Sequence, residues 1–440
     1  MSGRLATLRR GDAGYEAARR AACWNADLPD RFPDIIALAY DVQDVVAAVR
    51  MARARGWIIG VRSGGHSWPC NHVREGGMLL DVSRLDTVAI DPAAVRASVG
   101  PGCRGDAVNQ ALARQKLFFP VGHCQDVALG GYLLQGGYGW HSRTLGNACE
   151  SVLAIDYVDA EGAVRHASAE ENADIYWAAR GSGPGFFGVV TRYHLRLYPR
   201  PPVIAARLAW YPIEHLEPVL RWLNAVGPAV PRSIELMALV SRKTDHVRGP
   251  GITLIAPVFT DTWRQARADL AFMKSRPRGA SLALPLLPVT VARMTRAVMR
   301  HYPRNAHYAV DNMWTHAPID ELVPAIRRIA DSLPAAPSHM LWMNWQPPAE
   351  RPAMAASLDD DIYIALYGVW QRPEDEAAAR GWAQHHMAAM APMATGIQLA
   401  DENLGRRPAP FLAPDNMARL DALRARHDPE GRFHPYMGRV

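Results

Sequence analysis

The sequence has no apolar run approaching the ~20 residues that would cross a bilayer. Its opening stretch, "MSGRLATLRRGDAGYEAARR", lacks the apolar centre of a secretory signal, and Asp12 and Glu16 argue against a transit peptide. The chain therefore reads as cytoplasmic, with no membrane partner. Cysteine is scarce. Cys23, Cys70, Cys103, Cys124 and Cys149 are an odd set with no paired spacing, which argues against a disulfide framework. Excess charge is small, a formal +6 over 440 residues. Arginines are interleaved with Asp and Glu instead of gathering in a stripe, so nucleic acid is not an expected partner. The chain has no repeat, no low-complexity stretch and no strand–GxGxxG–helix unit of a nicotinamide-binding fold.

What is present is the composition of a globular protein, 49% apolar and 21% charged. Its length suggests two to three domains at ~100–200 residues each. The first two hundred residues alternate strands and helices. In "DVQDVVAAVRMARARG" the residues Val42, Val45, Val46 and Val49 form one helical face, with Asp41 as cap and Gly56 as stop. "WIIGV" is a short buried strand, residues 106–115 a helix, and "SVLAIDYVDAEGAVRHAS" a hairpin turning at 160–162. Beyond Pro201 glycine thins and Trp, Met and Pro become frequent. "IYIALYGVWQ" alternates as a strand with one face to a core and one to a cleft. "EDEAAARGWAQHHMAAMAP" reads as one helix ended by Pro392, and residues 416–426 as the last helix.

Two glycine-rich stretches carry reactive side chains. "VRSGGHSWPC" follows the strand "WIIGV" and places His66 after Gly64 and Gly65. Backbone amides at such a turn converge on an anion because no Cβ intervenes. "GHCQDVALGGYLLQGGYGWHSRTLG" holds seven glycines within residues 122–146, among bulky Tyr, Leu and Trp. It reads as a tightly packed coil pressed on a flat ligand. Cys124 within it is either a buried filler or a nucleophile. A rival zinc site would draw on His66, Cys70, His72, His123 and Cys124, but His-x-x-x-Cys-x-His is no recognised ligand spacing; no metal is expected.

Together these motifs resemble the berberine-bridge-enzyme-like branch of the vanillyl-alcohol-oxidase (PCMH-type FAD-binding) superfamily. The resemblance rests on "RSGGH" (62–66), "GHCQDVALGG" (122–131), "QGGYGW", "FFGVVT" and "NMARL…HDPEGRF", over roughly residues 30–200 and 400–435. It implies FAD attached twice, through His66 and Cys124. It also assigns to the cofactor Arg62, Ser63, Gly64, Gly65 and Ser67 around His66, and Gly122, Val127, Gly130 and Gly131 around Cys124. Gly136, Gly137 and Gly139 of the next run, Gly188, Val189 and Val190 of the later strand, and Asn416 complete that set. The implied fold is α+β: a PCMH-type FAD-binding domain of two subdomains (1–200), a substrate-binding domain with an antiparallel sheet covered by helices (201–395), and a C-terminal segment (396–440) returning to the FAD domain. Ala128 and Gln135 stand where the family has glycine. The family's Tyr-x-Asn appears only as "DEN", so Asn403 matches without its tyrosine and carries no role here.

The implied activity is oxidation of a C–H next to a hydroxyl or amine of a bulky small molecule, alkaloid-like or carbohydrate, with O2 reoxidising the flavin to give H2O2. The alternatives are a dehydrogenase using another acceptor, with Leu129 as oxygen barrier, and a non-catalytic flavin-binding protein. Hydride removal needs a base for the heteroatom proton. Tyr367 is the first candidate, with Asn344 as its partner and Tyr436 as a further candidate. A phenol serves only where its pKa is lowered, and Tyr367 reads equally as a core residue. The sequence leaves the subunit count open.

Overall fold

The computed structural model describes residues 5–439; residues 1–4 of the opening stretch read above lie outside them. Helix Val42–Ala54 begins where Asp41 Oδ1 accepts the Asp44 amide at 2.9 Å, and Val45 and Val49 on its inner face are fully buried. Each such valine stabilises the fold by roughly 1.5–3 kcal/mol. The chain reverses at Gly56, whose φ of +65° suits glycine, and enters the strand Ile59–Arg62.

That strand lies at the edge of a four-stranded sheet ordered Ala6–Arg9, Ile35–Leu38, Met78–Asp81, Ile59–Arg62, the last three parallel. A second sheet is antiparallel, ordered Val88–Asp91, Arg96–Val99, Val189–Arg196, Val152–Val158, Val164–Ser168. The largest sheet has six long antiparallel strands ordered Val203–Pro212, Gly251–Thr260, Leu236–Ser241, His339–Asn344, Ile362–Trp370, His307–Thr315. Helices Leu216–Val226, Ile319–Asp331 and Trp382–Met390 bury one of its faces, packing against residues such as Ile362, Ile364 and Leu366. Tyr363, Ala365 and Tyr367, alternate residues of the same strand, point the other way into the core shared with the front sheets.

The tail returns to the front of the molecule. Phe433 bridges Ile59 in parallel, with the Ile59 amide donating to the Arg432 carbonyl at 2.7 Å. Two local expectations are corrected. The single helix expected over 374–392 is two, Pro373–Ala379 and Trp382–Met390. The chain breaks at Arg380 and Gly381, where Asp27 holds the Arg380 guanidinium at 2.7 and 2.8 Å and glycine resists a helical fix. The glycine-rich coil contains a short helix, Leu129–Leu134, because its Leu-Gly-Gly-Tyr-Leu-Leu segment buries Leu129, Tyr132 and Leu133 on the core.

Candidate active site

A cleft of about 1290 Å³ opens between the front sheets and the large sheet. Both glycine-rich stretches line it. The "RSGGH" turn meets the start of helix Leu129–Leu134 so closely that a Cβ on Gly64 would lie 2.9 Å from the Ala128 amide nitrogen, and one on Gly130 would lie 2.7 Å from Ser63 Oγ. Ala128 is tolerated in place of glycine because Gly64 has no side chain opposite its methyl. The amides of Ser63, Gly64, Gly65, His66 and Ser67 find no acceptor among the described residues. A run of unpaired amides around glycine is an anion cradle, suited to a pyrophosphate. Beside it, a Cβ on Gly131 would meet nothing within 4 Å, so the wall is open to a flat ring. These features fit FAD.

His66 stands at one side of the cleft. Its ring stacks on Trp24, centroids 4.9 Å apart, and its Nε2 lies 3.2 Å from Asp126 Oδ1. Asp126 also accepts from the Trp24 indole at 3.0 Å and from Arg304 at 2.5 Å. Burial alone would raise the Asp126 pKa, but His66, Trp24 and Arg304 hold it well below the ordinary carboxylate value. Cys124 lines the same cleft. Burial, then the nearby Asp401 and Asp126, push its thiol far above the usual value, so the sulfur is held as a neutral thiol.

Of the residues assigned to the cofactor, Arg62, Ser63, Gly64, Gly65, His66 and Ser67 line the cleft, as do Gly122, Cys124, Val127, Gly130, Gly131, Gly137, Gly188 and Val190. Four do not. Val189 alternates with Val190 and points to the other face of its strand, fully buried. Asn416 donates to the carbonyls of Met354 and Ala355, pinning a loop instead of a ligand. Gly136 supplies a turn at φ +100°. Gly139 is packed against Tyr132 and the Val121 carbonyl, where a Cβ would clash at 2.3 Å.

The candidate bases are rearranged. Asn344 lies on the helix-covered face, where it donates to the Leu223 carbonyl at 3.2 Å and accepts from the Trp342 indole at 3.1 Å. The strand's period of two turns Leu341 and Met343 to the cleft and Asn344 away from it. Tyr436 is off the cleft too, donating to the Ser182 carbonyl at 2.5 Å and packing on Phe411. Tyr367 lines the cleft, but burial and the adjacent Asp401 carboxylate raise its pKa well above 10. It is held protonated and donates to Asp401 Oδ2 at 2.7 Å.

Asp401, a carboxylate that the sequence did not single out, also lines the cleft. Oδ2 also accepts from Tyr363 at 2.5 Å, and Oδ1 accepts from the Trp68 indole at 2.6 Å. Its loop is clamped on both sides. Asn312 donates to the carbonyls of Gln398 and Asp401, Glu402 accepts from Asn71, and Asn403 donates to Asp311. Asn403 is therefore a strut. The only signal in the sequence was an acid within "DEN", at the motif where the family has tyrosine.

Leu129, the oxygen barrier of the dehydrogenase alternative, is 1% exposed and packs in the core; Val127 lines the cleft. The rival zinc ligands are dispersed. His72 Nε2 faces the Ala22 carbonyl at 3.0 Å, and His123 Nε2 pairs with Glu235 at 2.9 Å.

Comparison with known proteins agrees with this geometry. Residues 33–168 match the family described as FAD binding domain. The FAD-linked oxidoreductase nodO of Hypoxylon pulicicidum is 30% identical over 422 residues, covering 95% of this chain and 94% of that protein. The (R)-6-hydroxynicotine oxidase of Paenarthrobacter nicotinovorans is 35% identical over 222 residues, 48% of this chain and 47% of its own. The 6-hydroxy-D-nicotine oxidase structure from Arthrobacter nicotinovorans superposes with a TM-score of 0.86 at 24% identity, covering 100% of this chain and 98% of its own. A BBE-like 1 structure from Physcomitrella patens gives 0.84 at 19%, covering 98% and 96%. Among the described residues no helix is long and apolar enough to cross a membrane. The chain belongs to the FAD-linked oxidoreductases, and it has the fold of the nicotine-oxidase and BBE-like structures.

Proposed function

We propose that this enzyme carries FAD bonded to both His66 and Cys124 and oxidises a C–H next to a hydroxyl or amine of a bulky small molecule. The observation that carries the reading is the meeting, in one cleft, of the amide cradle, the His66 imidazole, the Cys124 thiol and the Asp401 carboxylate. Bound FAD would supply the acceptor for one hydride, which carries both electrons of the oxidation. The remaining chemistry belongs to the chain. The amides of residues 63–67 receive the pyrophosphate. Asp126 engages Nε2 of His66 and leaves Nδ1 as the attaching nitrogen. Asp401, fixed by Trp68, Tyr363 and Tyr367, takes the proton from the substrate heteroatom. Leu208, Leu239, Leu341 and Met343, inward-facing residues of the large sheet, exclude water and seat an apolar body.

The electron acceptor is O2, reduced to H2O2, with access controlled at Val127 rather than Leu129. The test mixes the purified enzyme, without air, with a panel of alcohols, sugars and cyclic amines and follows the flavin band. A true substrate bleaches it, and readmitted air restores it with one H2O2 per turnover. A protein bleached by no member of a broad panel would overturn the assignment.

A further inference from the structure

Behind the flavin-facing sheet lies a second cluster with chemistry of its own. Asp156, His166 and His194 sit on three adjacent strands, Val152–Val158, Val164–Ser168 and Val189–Arg196, and their ligand atoms lie within 4.8 Å of one another. Register builds the cluster. Asp156 pairs directly with His166. Irregular pairing on either side of Arg192–His194 displaces the third strand and brings His194 Nε2 to 3.1 Å from Asp156 Oδ2. His166 Nδ1 lies 2.7 Å from Oδ1.

We propose that this cluster is a binding site for a first-row divalent cation of the zinc type. Two imidazoles and one carboxylate form a nitrogen-rich set suited to Zn2+, Co2+ or Ni2+ and unsuited to Mg2+ or Ca2+, which take oxygen. A tetrahedral ion with bonds of about 2.0–2.1 Å spaces its ligand atoms about 3.3 Å apart. The observed 2.7 and 3.1 Å run to the two different oxygens of Asp156, and all the ligand atoms lie within 4.8 Å of one another, so a modest rearrangement of the three side chains brings one oxygen and two nitrogens to that spacing. The ring atoms are half-exposed, so a fourth position is open to water. One cation opposes the ion: Arg192 Nε is 3.9 Å from Asp156 Oδ2, while its Nη1 reaches toward Ser98 at 3.5 Å. The site backs the cofactor wall, because Tyr193, the residue before His194, lines the cleft and donates to the Gly130 carbonyl at 2.9 Å.

The test uses tag-free holoenzyme, stripped with chelator and titrated with Co2+ or Zn2+ alone. One ion per chain is expected, with Co2+ visible bands displaced by Zn2+ and untouched by excess Mg2+. D156N, H166A and H194A should each weaken binding about tenfold or more. R192Q should tighten it, a result that loose adsorption on surface histidines would not give. The three ligands are half-exposed, so the variants should melt with wild type in chelator and keep their flavin. Binding equally strong in a variant lacking all three ligands, or no Co2+ bands in the wild type, would overturn the proposal.

Discussion

Acid should loosen this enzyme through two buried neutral histidines, one of them stacked on Tyr367, the phenol that donates to the proposed base Asp401. His339 is fully buried, its ring stacked on Tyr367 at 4.7 Å, with Nδ1 2.9 Å from the Pro337 carbonyl and Nε2 3.2 Å from the Tyr302 hydroxyl. Burial, reinforced by His301, lowers its pKa to about 3. His141, stacked on Phe259 at 4.7 Å, is lowered by burial to about 4. In the unfolded chain both titrate near 6.5. As pH falls the unfolded state takes up protons first, so stability is complete above pH 6.5 and drains between 6.5 and the folded values. At pH 5 the gap is about 1.5 units, and at 1.36 kcal/mol per unit each histidine removes about 2 kcal/mol. Together they remove about 4 kcal/mol of a total typically 5–15. The assay is denaturant unfolding at pH 8, 6.5 and 5 for wild type, H339Q and H141N. Each variant should lose about 2 kcal/mol less than wild type between pH 8 and 5. Variants with the wild-type pH slope would refute the assignment of these rings as neutral.

Three further outcomes follow from the cleft. Asp401→Asn should slow flavin reduction by a bleaching substrate ~10²–10⁴-fold and alter its pH profile while leaving the flavin attached; an unchanged rate would return the base to another group. Asp126→Ala should slow attachment at His66 by ~10²-fold or more, the scale at which an orienting carboxylate acts on a histidine. The Cys124 bond should persist, as read by mass of the denatured protein over time. Val127→Ile adds a methylene to the cleft wall, and a barrier of only ~1.4 kcal/mol would slow reoxidation in air tenfold. Leu129→Val should leave it unchanged, and the reverse pattern would restore Leu129 as the barrier.

The reach of the sequence followed the range of the forces involved. Local rules located the helix Val42–Ala54, since Asp41 and the spacing of its valines act within a few residues. The turns that carry His66 and Cys124 into the cleft were legible because backbone crowding at Gly64, Gly65 and Gly130 excludes a side chain, and that demand is written into contiguous motifs. Parity on a strand was harder. The alternation of Ile362–Trp370 was readable, whereas choosing Asn344 required knowing which face of its own strand met the helices. Asp401 was out of reach, because the Trp68 indole that fixes it lies 333 positions away and the Tyr363 and Tyr367 hydroxyls come from the strand Ile362–Trp370. The anion beside Tyr367 inverts the role its sequence suggested. The Asp-His-His cluster was hidden for the same reason, arising from register across three strands.

The proposed double attachment has His66 and Cys124 meeting on one flavin. Intact mass of the unfolded protein, produced with FAD supplied, tests it most directly. A chain heavier by one FAD is expected in the wild type, in H66A and in C124A, and an unmodified chain only when both residues are replaced. A wild-type chain weighing only its amino acids would contradict it.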